Sequence, residues 1–177
     1  MKVNEIFEKE IVQQLGDLLL QNKQTLSVAE SVTGGFVQAA LSNAEYASNF
    51  FQGGITAYNI HQKYTHLHID LANATATNCV SEQTAREMAL GVAKIFHSDW
   101  GAGITGYASP IPGHHATELY SWYAIVFEQK HIFSDRITIS VKDPMQVQLE
   151  YTNTLIRQLL NRVTLLNASS RLAVKSN

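Results

Sequence analysis

Ser31 follows the short apolar run 26–29 and is itself followed by Val32, Thr33, Gly34 and Gly35. A serine at a sharp strand-to-helix turn keeps its hydroxyl exposed, and the start of the next helix offers unpaired backbone N–H groups to a developing anion. Glycines at 34 and 35 let a substrate approach that backbone closely. Two chemistries fit this pattern: Ser31 as a nucleophile, or Thr33 as a phosphate contact. The plainer alternative is a helix cap, with Thr33 starting a helix. A serine hydroxyl needs a base within hydrogen-bond reach before it can attack. Lys63 falls in the first turns of the helix expected after the second strand, on the same sheet edge, where desolvation would lower its pKa and suit it to that task. Tyr58, five residues earlier, could orient Lys63 or relay its proton. The ordinary roles of these two residues are a solvated surface charge and an edge-strand packing aromatic.

The histidines make a poor metal site. His66 and His68 alternate in a segment with helical character, which points them apart. His114 and His115 sit in a loop that overhangs the same sheet edge and could touch a ligand. Neither pair is joined by cysteine or carboxylate at ligand spacing, so neither a metal nor another cofactor is expected.

Composition narrows the partners. The 177 residues carry a formal charge of −2, and no stretch gathers Lys or Arg on one face, which argues against nucleic acid. The single cysteine, Cys79, cannot form an internal disulfide, and the charged start MKVNEIFEKE lacks the apolar stretch of a signal peptide. Apolar runs fall well short of the ~20 residues a spanning helix needs. A cytoplasmic protein away from the membrane is the expectation. With 45% hydrophobic residues the chain can build one core, and a single domain is expected over residues 1–166, with a frayed tail at 167–177.

The elements that must position these side chains follow from periodicity. Phe7, Ile11, Leu15, Leu18 and Leu19 predict an amphipathic helix over 3–21. Residues 26–29 predict a strand, 36–41 a small-residue helix, 50–58 a second strand and 61–68 a short helix. The Ala/Thr/Asn mixture at 70–78 shows no apolar face and predicts a loop. Ala85, Met88, Ala89, Val92, Ala93 and Phe96 mark the clearest helix, with Ser81 as its N-cap. Residues 100–105 predict a strand and 107–117 an irregular loop. Residues 119–128 and 131–141 flank Gln129-Lys130 and predict a hairpin, and 144–163 a last helix with Pro144 at its first position. The order implies an α/β fold in three αβα layers around a mixed, mainly parallel sheet, whose ligands bind beyond the carboxyl ends of the strands.

The runs Ala29-Glu30-Ser31-Val32-Thr33-Gly34-Gly35, Gly54-Ile55-Thr56-Ala57-Tyr58 with Lys63, Val80-Ser81-Glu82 with Ala85, Met88, Ala89 and Gly91, and Thr105-Gly106 with Pro110 resemble the CinA C-terminal domain family, the nicotinamide-nucleotide amidohydrolases. The resemblance implies an α/β protein that is often a homo-oligomer and hydrolyses nicotinamide mononucleotide to the acid and ammonia. By this likeness Ser31 matches the nucleophile and Lys63 and Tyr58 its activating residues, while Thr33, Gly34, Gly35, Thr105 and Gly106 match the nucleotide pocket. The partner implied is a small-molecule amide or nucleotide.

Three departures bear on that implication. Val32 stands where the family usually has Cys. The stretch from Tyr107 to His115 replaces a glycine-rich loop. Pro144 and Gln148 stand where the family presents Arg, and a bidentate guanidinium has no equivalent in Pro or Gln. Lys142 and Arg136 are the remaining candidates for a positive charge, with Lys142 nearer the expected sheet edge. Two functions follow: an amidohydrolase acting through a serine acyl-enzyme on the nucleotide or a related amide, or a catalytically impaired relative that binds a nucleotide or protein.

Overall fold

The computed structural model describes residues 6–110, 118–141 and 143–175, with side chains through residue 169. Val3, His114, His115 and Lys142 lie outside the described residues. Helices α1 (Lys9–Gln21), α2 (Phe36–Ser42), α3 (Ile60–Leu67), α4 (Leu71–Ala76), α5 (Glu82–Phe96) and α6 (Pro144–Lys175) surround strands β1 (Leu26–Glu30), β2 (Phe51–Thr56), β3 (Trp100–Gly106), β4 (Leu119–Phe127) and β5 (Lys130–Ile139). No described helix is long and apolar enough to cross a membrane.

The sheet order is β2-β1-β3-β4-β5. β1 pairs in parallel with both β2 and β3, and the β4–β5 hairpin adds two antiparallel pairings. The expected mixed α/β sheet is therefore present, with its parallel part at the front of the chain. Alternation along β1 and β3 divides the core in two. Leu26, Val28, Trp100, Ala102 and Ile104 face α1, α2 and α6, where Leu15, Leu19, Val37, Leu41, Tyr151 and Leu155 complete the larger cluster. On the opposite face Ala29 packs with Met88 and Val92 of α5 and Leu67 of α3. β3 lies very close to α5: a Cβ at Gly103 would stand 2.3 Å from the Ala85 carbonyl oxygen, which explains the row of alanines on that helix.

Several boundaries differ from expectation. The segment 70–78 contains α4, because Asp70 caps it through the Asn73 N–H and Ala74 is buried beneath it. Tertiary burial supplies what the missing apolar face could not. The first helix begins only at Lys9, and β2 ends at Thr56, so Tyr58 lies beyond the strand. The hairpin turns at Glu128-Gln129, both with positive φ (48° and 60°), as a two-residue turn between right-twisted strands requires. α6 starts at Pro144 as predicted, with Asp143 accepting from the Gln146 N–H, but runs to Lys175, through most of the segment expected to fray.

Candidate active site

In a parallel sheet a crevice opens where connections leave adjacent strands toward opposite faces. The chain leaves β1 by way of α2, and a crevice opens between the carboxyl ends of β1 and β3, lined by Ser31, Thr105 and Gly106. Ser31 is the first residue past β1, and its N–H donates to the Ile104 carbonyl of β3 at 3.1 Å. This bond fixes the serine at the mouth of the crevice, where the residue is 7% exposed.

Lys63 reaches Ser31 from α3. Asn59 caps that helix by accepting from the Gln62 N–H, which sets its first turn, and the Lys63 Nζ comes within 2.9 Å of Ser31 Oγ. The lysine is 2% exposed and has no carboxylate partner among the described residues. Burial pulls its pKa below the ordinary lysine value, while the neighbouring Cys79 acts in the opposite sense. Burial likewise raises the Cys79 thiol. A lysine so placed can lose its proton and then accept one from a serine, whereas a carboxylate beside it would keep it charged.

A cleft of about 810 Å³ opens beside this pair, within the size range of small-molecule sites. Its walls include Ser31, Val32, Tyr58, His61, Lys63, Cys79, Thr105, Gly106 and Tyr107. Tyr58 is 73% exposed and forms the rim, with no hydrogen bond to Lys63. The Thr105 hydroxyl donates to the Cys79 carbonyl at 2.8 Å and so ties the end of β3 to the cleft wall at Cys79. Asn78 and Cys79 both have positive φ (49° and 61°), and the Cys79 N–H bond to Ala74 holds this unusual backbone in place. Gly106 is required by close packing, since a Cβ there would lie 2.5 Å from that of Ser121. Among the described residues no group of three or more His, Cys, Asp or Glu side chains could hold a metal.

Thr33, Gly34 and Gly35 are not cleft walls. Their turn faces the other side, where the buried Glu30 side chain accepts from the Thr33 hydroxyl (2.6 Å) and from the N–H groups of Gly35, Val37 and Gln38. Gly34 N–H donates to the Ser31 carbonyl. Residue types alone could not show this network, because it depends on the glutamate folding back over the helix start. Gln148 of α6 donates to the Val32 carbonyl at 2.8 Å and so buttresses the same turn. Arg136 is committed elsewhere, paired with Glu118 at 2.7 Å and stacked on Tyr120.

A family model for the CinA C-terminal domain matches residues 8–163. A CinA-like protein of Picosynechococcus sp. is 45% identical over 96 residues, 54% of this chain and 23% of that protein. One from Trichodesmium erythraeum is 38% identical over 105 residues, 59% of this chain and 25% of that protein. The matched region thus spans about a quarter of these curated relatives. The crystal structure of a competence-damaged protein (CinA) superfamily protein from Enterobacter cloacae superposes with a TM-score of 0.83 at 26% identity, covering 92% of this chain and 96% of that one. A competence or damage-inducible protein from Enterobacter asburiae gives 0.83 at 25% identity, covering 89% and 98%.

Proposed function

The chain belongs to the CinA C-terminal domain family, and on that premise we propose that it is an amidohydrolase that deamidates nicotinamide mononucleotide or a related amide through a serine acyl-enzyme. The observation that carries the proposal is the 2.9 Å contact between Lys63 Nζ and Ser31 Oγ at the wall of the cleft. Neutral Lys63 takes the Ser31 proton as the oxygen attacks the carboxamide carbon. The lysine then passes that proton to the departing nitrogen, and ammonia leaves. Water, deprotonated in turn by Lys63, attacks the acyl ester, and Lys63 returns that proton to Ser31 Oγ as the ester bond breaks and the acid leaves. Tyr58 bounds the cleft mouth, and Thr105 holds the Cys79 part of the wall through its carbonyl.

An ammonia-release assay across nicotinamide mononucleotide, its riboside, nicotinamide and a panel of unrelated amides tests the proposal. Release from at least one is expected, and Ser31→Ala should lower it on the order of 10⁶-fold. Undiminished release by the variant would remove Ser31 from the mechanism. No release from any amide, with nucleotide binding retained, would make the protein a binding module instead.

A further inference from the structure

The start of α2 looks like a place for an anion, yet its donors are already taken. Gly35, Val37 and Gln38 give their N–H groups to Glu30, at 3.1, 3.1 and 2.8 Å, and the Thr33 hydroxyl adds a fourth bond. The glutamate side chain is fully buried, so neither water nor ligand competes for these bonds. Gly34 N–H is used by the Ser31 carbonyl and Ser31 N–H by Ile104. Among the described residues no hydrogen bond engages the N–H of Thr33, which does not line the cleft, or that of Val32, whose carbonyl is held by Gln148. Val32 borders the cleft with Ser31. The amide directly after a nucleophilic serine is a common oxyanion donor, because it moves rigidly with the attacking residue.

We propose that Glu30 is a positioning residue for the reaction: by clamping the turn after Ser31 and occupying the amides of α2, it leaves the Val32 N–H as the donor that stabilises the tetrahedral oxyanion. This rests on Ser31 being the nucleophile. The helix start is thereby closed to substrate anions, and the oxyanion site and the serine share one peptide unit.

Glu30→Gln keeps the shape of the side chain but sets an NH2 group against N–H donors, so the turn must shift. With the far-ultraviolet spectrum and melting temperature of the variant verifying its fold, kcat should fall about 10²–10³-fold while KM for the best amide stays within about threefold. Pyridine-3-boronic acid provides a readout without turnover, since its adduct with serine presents a tetrahedral oxyanion mimic. Boron-11 NMR should show the tetrahedral adduct with the unaltered protein, and its affinity should drop about 100-fold in Glu30→Gln. If that variant does not fold, Thr33→Val removes a single bond of the clamp and should lower kcat about tenfold at unchanged KM. A folded Glu30→Gln, or failing that a folded Thr33→Val, with wild-type kcat and wild-type boronate affinity would overturn the role of Glu30 while leaving Ser31 as the nucleophile. Absence of any adduct with the unaltered protein, together with no ammonia release, would overturn the nucleophile and the proposal with it.

Discussion

An ammonium group enclosed by apolar walls gives up its proton more readily than one in water, and Lys63 is enclosed without a carboxylate to hold that proton. As base it must be neutral, so kcat/KM should rise with pH along a limb whose midpoint lies below the ordinary lysine value of 10.5. Lys63→Arg keeps a charge but cannot release a proton at these pH values. It should reduce kcat about 10²–10⁴-fold and abolish the rising limb; steady-state rates across pH would reveal a limb that persists, which would assign it to another group. Ser31 and Lys63 were legible in the sequence as residue types that form a nucleophile and its base. Their placement on one sheet edge was readable from the strand and helix order, whereas the 2.9 Å contact and the burial of Lys63 were not. Tyr58 stands at the rim because β2 ends two residues before it. The role of Glu30 was not legible for a different reason: three of its four partners are backbone amides, which carry no residue identity.

α5 acts as the spacer that sets where α3, and with it Lys63, can lie. Gly91 is the contact: a Cβ there would stand 2.5 Å from the Leu67 carbonyl oxygen and 2.9 Å from its Cα. Neither backbone atom can swing aside as a side chain would. Gly91→Ala gains up to about 1 kcal/mol of helix propensity but should lose more by overpacking, about 1–3 kcal/mol. We expect a lower denaturation midpoint together with reduced kcat, because α3 must move away and take Lys63 with it. A variant as stable and active as the parent would show that α3 yields without consequence. Long periodic elements such as α5 were readable because their apolar spacing repeats. α4 was not, since six residues of Ala, Thr, Leu and Asn owe their helix to a cap and to the buried Ala74. The hairpin turn was displaced by one residue for a similar reason, as Glu128 and Gln129 take positive φ without the Asn or Gly that would announce it.

The site draws on parts of the chain that are far apart, from β1 near one end to Gln148 of α6 near the other. Gln148 supports the Ser31 turn through the Val32 carbonyl, and Val32 itself borders the cleft; the family resemblance implies Arg at this position. Gln148→Arg should strengthen binding of nicotinamide mononucleotide about ten- to a hundredfold and leave the riboside unchanged, if the guanidinium supplies the missing phosphate contact. Calorimetric titration with both ligands decides this, and equal gains for the two would mean that Gln148 acts through the turn alone. The alternation of helix and strand made the layered fold readable, whereas the two faces of the Ser31 turn emerge only once α6 has packed. Assembly on this scale also has a thermodynamic signature at Lys63. Between its lowered pKa and 10.5, the folded chain holds less of that proton than the unfolded chain does. Stability therefore rises with pH across the interval, and the penalty for the buried ammonium is felt in full below the folded pKa. Within that interval, folding expels the proton into the solvent. Refolding in weakly buffered alkaline solution should acidify the medium, and the apparent heat of folding should vary with the ionisation enthalpy of the buffer that receives the proton.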